Sequence, residues 1–184
     1  MRRGLLETSN HNLNGATPKS QMSRTLFHQF NMSIFDNHAQ SSSSTITYTP
    51  ESEQEAWIAI MYACMAVDGE ISDTEIDKMC EQLVLKKLFY NKDIADYYQP
   101  VMKAHNLVGS RSMIDNSISK IEQANRSVLF ALTMEILLAD GILGDNEKKI
   151  AEYLSHSLEI NHELSKKIVD VLLIKNSGNF IIVN

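Results

Sequence analysis

From Glu51 onward, apolar residues recur at helical spacing, and polar turns separate the runs. Trp57, Ile60, Met61, Cys64 and Val67 form the first stripe. It follows Pro50 and opens with Glu51, Glu53 and Glu55, acids that suit the positive end of a helix dipole. Asp68-Gly69 ends it. Ile76, Met79, Cys80, Leu83, Val84 and Leu88 give a second, strongly amphipathic stripe. Ile94, Tyr97, Tyr98, Val101 and Met102 give a third, in which Pro100 predicts a kink or break. Ile114, Ile118 and Ile121 give a weaker fourth. Val128–Ala139 is apolar nearly all round, which predicts a central, buried helix ended by Asp140-Gly141. Ile150, Leu154 and Leu158, then Leu164, Ile168, Val171 and Leu172, complete the set before the stop signal Asn176-Ser177-Gly178. The pattern therefore predicts an all-α fold, a bundle of about seven helices with antiparallel neighbours.

Residues 1–50 lack this periodicity. They are rich in Ser and Asn, contain the run Ser41–Ser44, and read as a largely disordered or loosely docked arm. An apolar island, Leu26-Phe27 through Phe30 and Met32 to Phe35, is the part of this arm suited to docking as a short helix. Residues 51–176 read as the helical domain and 177–184 as a short C-terminal tail. The chain has 184 residues, 43% of them apolar, enough for one domain with a core. No apolar stretch approaches the length of a membrane span, and no apolar run follows Arg2-Arg3 as in a signal peptide. Cys64 and Cys80 both fall on apolar stripes and read as buried thiols in a reducing compartment.

Charge narrows the partners. Residues 1–50 carry four basic and two acidic side chains, a net of +2, so the remainder holds −8 of the total −6. An acidic body repels nucleic acid and tolerates cations. There is no Gly-x-Ser-x-Gly, P-loop or dinucleotide fingerprint, and Cys64 has no basic neighbour in sequence to activate it. Carboxylates without a base, nucleophile or phosphate-gripping arginine argue against an enzyme. His156 and His162 lie six apart around a helix break, unlike the i, i+4 pair of a zinc helix, and read as surface or capping residues. The pairs Lys86-Lys87, Lys148-Lys149 and Lys166-Lys167 read as solvated faces.

The most specific feature is an internal repeat. Val67-Asp-Gly-Glu-Ile-Ser-Asp-Thr-Glu75 aligns with Ala139-Asp-Gly-Ile-Leu-Gly-Asp-Asn-Glu147 at an offset of 72 residues. Asp68 pairs with Asp140, Gly69 with Gly141, Ile71 with Leu143, Asp73 with Asp145 and Glu75 with Glu147. Each copy follows an apolar helix and precedes an amphipathic one, which predicts a duplicated helix–turn–helix unit with a pseudo-twofold axis. Two readings of these turns stand side by side. In one, the glycines end helices and Ser72-x-x-Glu75 is a capping box, with Gly144 and Glu147 a weaker version. In the other, Asp-Gly-x-Ile-x-x-x-Glu is the second half of an EF-hand loop. The first half is missing: its ligand positions fall on Cys64 and Ala66, and on Ile136 and Leu138. Two half-cages meeting across the pseudo-twofold would hold one hard cation, Ca²⁺, Mg²⁺ or Mn²⁺, through Asp68, Glu75, Asp140 and Glu147. Asp73 and Asp145 would be accessory ligands.

The paired acidic turns, the apolar helix Trp57–Val67 before the first of them and the helix count resemble the tellurite-resistance TerB family over about residues 51–175. That resemblance implies an all-helical fold with an internal twofold and an acidic cluster that binds a divalent metal. It also implies a cytoplasmic role in stress or tellurite resistance, or membrane-associated sensing, exerted through protein partners. By motif, the acidic positions are Asp68, Glu75, Asp140 and Glu147. Gly144 departs from the pattern, because it lacks the hydroxyl that Ser72 supplies. The alternative is a structural or adaptor helical domain that binds protein partners without metal. Both readings expect neither nucleic acid nor an integral membrane segment, and the first leaves room for peripheral membrane association.

Overall fold

The computed structural model describes residues 47–69 and 71–179; the Asp68 side chain lies outside that description. So do residues 1–46, with the apolar island at 26–35, and residues 180–184. The described chain is all helical. Its six α-helices are α1 (Glu53–Met65), α2 (Asp73–Val84), α3 (Ile94–Ser117), α4 (Gln123–Leu137), α5 (Asp145–Ser157) and α6 (His162–Asn176). Short 3-10 turns at Ala66–Asp68, Lys87–Phe89 and Ile118–Lys120 link them. Among the described residues, no helix is long and apolar enough to cross a membrane.

The helix count is one lower than the apolar pattern predicts. The stripes at 94–102 and 114–121 fall largely on one element, α3, which bends at Gly109 (φ 74°, ψ 168°). Such a backbone is open to glycine and costly for other residues. Pro100 sits inside α3 without breaking it, so the expected interruption comes nine residues later. The His105 Nε2 and Ser110 Oγ atoms, 2.8 Å apart, bridge the bend.

α1 begins where the acidic first turn predicts, and Ser72-like chemistry starts it too: Ser52 Oγ accepts from the Glu55 N–H at 3.2 Å. Every residue from Ala56 to Met65 is buried. This helix, rather than α4, is therefore the most enclosed. α4 keeps Val128 at its surface and Glu135 half-exposed. The alanines of α1 explain the difference. Ala56, Ala59 and Ala63 leave no side-chain bulk, so neighbours close over the face opposite Trp57 and Met61. α3 packs along α1, and α4 contacts α1, α2, α5 and α6.

Polar clamps fix the helix ends. Glu53 Oε1 accepts from the Glu122 N–H at 3.0 Å, Asn125 Nδ2 at 2.9 Å and Trp57 Nε1 at 3.3 Å. One carboxylate thus ties the start of α4 to the start of α1. Tyr48 and Pro50, ahead of α1, already pack on this body, and the Tyr48 hydroxyl donates to Glu55 at 2.9 Å. Tyr153 donates to Asp115, joining α5 to α3, while the Arg111 guanidinium lies 5.7 Å from the centre of the Tyr153 ring.

Two stripes face differently from their sequence pattern. Val84, in line with the α2 stripe, is 60% exposed. On α6 the buried face runs through Ser165, Leu172 and Asn176, which turns Leu164 and Val171 outward. Cys64 is buried and Cys80 half-buried, and both are free thiols.

Candidate functional site

Each acidic turn is built by the helix that precedes it and the helix that follows it. At the first turn, α1 tightens into the 3-10 turn Ala66–Asp68, and Gly69 takes a backbone (φ 134°, ψ −134°) that L-residues avoid. Ser72 is extended and becomes the N-cap of α2. Its Oγ accepts from the Glu75 N–H at 3.3 Å. Glu75 Oε2 in turn accepts from the Ser72 N–H and the Ser72 hydroxyl, both at 2.8 Å. The reciprocal capping box is complete.

The second turn has a different anatomy. The Gly141 N–H bonds to the Leu138 carbonyl at 3.0 Å, with Gly141 at φ 74°. Asp140 Oδ1 accepts from the Ile142 N–H at 2.9 Å, a local turn closed by a side chain. Gly144 caps α5 without a side chain of its own. The Glu147 carboxyl folds back into the space that a Cβ at position 144 would fill. The missing hydroxyl is thus offset by room for the glutamate to return over the helix start.

The surroundings differ as well. Among the described residues, nothing lies within 4 Å of the position a Cβ at Gly69 would take. Gly141 instead presses against the end of α6, where a Cβ would meet the Asn176 carbonyl oxygen at 2.5 Å and its carbon at 2.8 Å. The buried Asn176 amide donates to the Leu138 carbonyl at 2.9 Å, and Asn179 Nδ2 donates to the Ala139 carbonyl at 3.1 Å. These bonds satisfy carbonyls that the end of α4 leaves without helical partners. The first turn is open and the second is sealed by α6.

Five of the six candidate ligands have described side chains. Glu75 and Asp140 are engaged in their own turns. Asp73 and Asp145 are exposed in the first turns of α2 and α5, where a negative charge complements the helix dipole. Among the described residues, no group of three or more His, Cys, Asp or Glu side chains comes together as a metal cage.

Other reactive groups are quiet. Burial pushes the Cys64 thiol up to about 12, so it stays protonated at neutral pH and is no nucleophile. Burial also raises Tyr153, assisted by its hydrogen bond to Asp115, and raises Tyr48, assisted by Glu55. Tyr62 packs edge-on against Tyr98 (5.7 Å) and His105 (5.1 Å), an aromatic seam between α1 and α3. His156 and His162 are exposed.

The sequence pattern missed the Glu53 clamp and the Asn176 seal. Glu53 reads as one of three first-turn acids, and Asn176 as a stop signal. Their partners lie 69 and 38 residues away respectively, beyond any local pattern. Comparison of the chain with protein-family models, with curated proteins and with solved structures finds no match.

Proposed function

We propose that this chain is a non-enzymatic helical interaction domain whose acidic turns serve to close helix ends. The observation that carries the reading is the use made of the turn carboxylates. Glu75 completes a capping box, Asp140 closes its own turn and Glu147 folds back over the start of α5. The polar clusters away from the turns act as ties between helices: Glu53 between α1 and α4, and Tyr153 with Asp115 between α5 and α3. Leu164, Val171 and Ile174 lie outside the core along α6 and supply an apolar face for protein partners.

A second reading, a TerB-like divalent-cation site, has one observation in its favour. α1 ends at Met65 and α4 at Leu137, while α2 begins at Asp73 and α5 at Asp145. Both pairs are 72 residues apart, the same offset as the sequence repeat. This supports a duplicated helix–turn–helix unit, the frame in which two half-cages would meet. On that reading Asp68, Glu75, Asp140 and Glu147 would hold Ca²⁺, Mg²⁺ or Mn²⁺, with Asp73 and Asp145 accessory.

Calorimetric titration with each of the three cations separates the readings. The interaction-domain reading expects no binding heat and no shift in melting temperature. Saturable heat that disappears in the Asp68→Ala/Asp140→Ala double variant would replace it with the cation site.

A further inference from the structure

The connection from α2 to α3 presents a surface that the acidic turns do not explain. Residues 84–92 read Val-Leu-Lys-Lys-Leu-Phe-Tyr-Asn-Lys, with three lysines and no acid, in a chain of net charge −6. Leu85 is 83% exposed, Tyr90 74% and Val84 60%. These side chains are held out rather than left loose. Phe89 is buried, with its ring edge-on to Trp57 at 6.1 Å. The Leu88 carbonyl accepts from Gln54 Nε2 of α1 at 3.1 Å. Backbone bonds from Lys86 to Leu83 (2.9 Å), Phe89 to Lys86 (2.9 Å) and Lys92 to Phe89 (3.0 Å) hold the strip together. The inward pair Leu88 and Phe89 anchors a shelf whose outward residues are aliphatic, aromatic and basic. Lys86, Lys87 and Lys92 form no ion pair among the described residues. Of the adjacent acids, Asp93 is turned to the Ala95 N–H as the cap of α3, and Glu81 lies a turn back on α2.

We propose that this shelf docks on an anionic phospholipid surface. Leu85, Val84 and Tyr90 would sit at the boundary between headgroups and acyl chains, and the three lysines against the negative headgroups. The chemistry matches on both counts. Aliphatic tips insert, a tyrosine suits a layer that is apolar on one side and wet on the other, and lysine stems reach from that boundary to charged headgroups. Composition favours a lipid over a protein. Lysine is depleted in protein–protein interfaces, whereas this strip carries three lysines and no acid. Reversible attachment to a bilayer needs only a few apolar groups with basic neighbours. The acidic remainder of the chain is repelled by the same surface, so the lysines also orient the approach.

Co-sedimentation of the full chain with extruded vesicles tests this. One set is phosphatidylcholine alone, and the other contains roughly one-third phosphatidylserine. Binding is expected to the phosphatidylserine vesicles only. It should fall as salt rises, because the screening length shortens from about 10 Å at 0.1 M to about 3 Å at 1 M. Each lysine near the surface contributes about fivefold to partitioning, so Lys86→Glu/Lys87→Glu should lower it at least twentyfold or so. Leu85→Ser/Tyr90→Ser should weaken binding and keep its salt dependence. Leu85, Lys87 and Tyr90 are exposed and Lys86 is half-buried at the edge of the shelf, and an unchanged melting temperature verifies each variant's fold. Equal binding to both vesicle sets, no binding to either, or a lysine variant that binds like the wild type would overturn the proposal. So would capture of a synthetic acidic amphipathic peptide by the shelf with no vesicle binding. None of these outcomes depends on whether the acidic turns take up a cation.

Discussion

Replacing Gly141 with alanine is expected to destabilise the domain by about 2–5 kcal/mol, from the left-handed backbone plus overpacking. Two costs combine. The residue sits at φ 74°, a region that a Cβ makes unfavourable, and that Cβ would lie 2.5 Å from the Asn176 carbonyl oxygen. The obstacle is backbone at the end of a helix, not a side chain that can swing away. Relief requires α6 to withdraw, which would also stretch the Asn176 bond to the Leu138 carbonyl. Gly69→Ala is the informative control. It shares the positive φ but meets no described residue within 4 Å, so only the backbone cost of about 1–3 kcal/mol applies. Urea unfolding of both variants, followed by Trp57 fluorescence, measures the difference. Equal losses would mean that α6 does not seal the second turn.

Phe130→Ala is the other large effect. Phe130 is fully buried in α4, the helix that contacts α1, α2, α5 and α6. Removing the ring forfeits its burial and leaves a cavity that several helices would have to close together. The expected loss is about 3–5 kcal/mol, a large part of the roughly 5–15 kcal/mol that holds a typical domain folded. The urea midpoint should fall sharply while the slope of the transition stays near the wild-type value. A loss below about 1 kcal/mol would mean that the site collapses without strain, at odds with a tightly filled centre.

Much of the fold was legible because burial writes itself into helical periodicity. The stripes of α1 and α5 lie where the apolar residues put them, as do the α2 stripe apart from Val84 and the buried run of α4 apart from Val128. What failed did so for physical reasons. The long α3 was read as two helices, split between Met102 and Ile114, and its kink was placed at Pro100, since proline is a stronger sequence signal than the lone Gly109 that in fact bends the helix. α1 was underrated because its stripe was traced through the larger residues from Trp57 to Val67, without the alanines at 56, 59 and 63 that allow the closest packing. On α6 a second apolar stripe, Leu164 with Val171, outweighed the real core face, which contains Ser165 and Asn176. Both of these buried polar residues are hydrogen-bonded: Ser165 Oγ donates to the His162 carbonyl at 3.0 Å. The capping chemistry of the first turn was readable in Ser-x-x-Glu. The seal on the second was not, because Asn176 acts across 38 residues.

The central claim is that each acidic turn closes its own helix, independently of the other. A double-mutant cycle of Glu75→Ala and Glu147→Ala, by urea unfolding with excess Ca²⁺ and again with chelator, tests it most directly. The account predicts that the two losses add to within about 0.5 kcal/mol, as for separate sites, and that the cation changes neither. A coupling above about 1 kcal/mol that appears with Ca²⁺ and vanishes with chelator would contradict it, since the two carboxylates would then be acting on one ion.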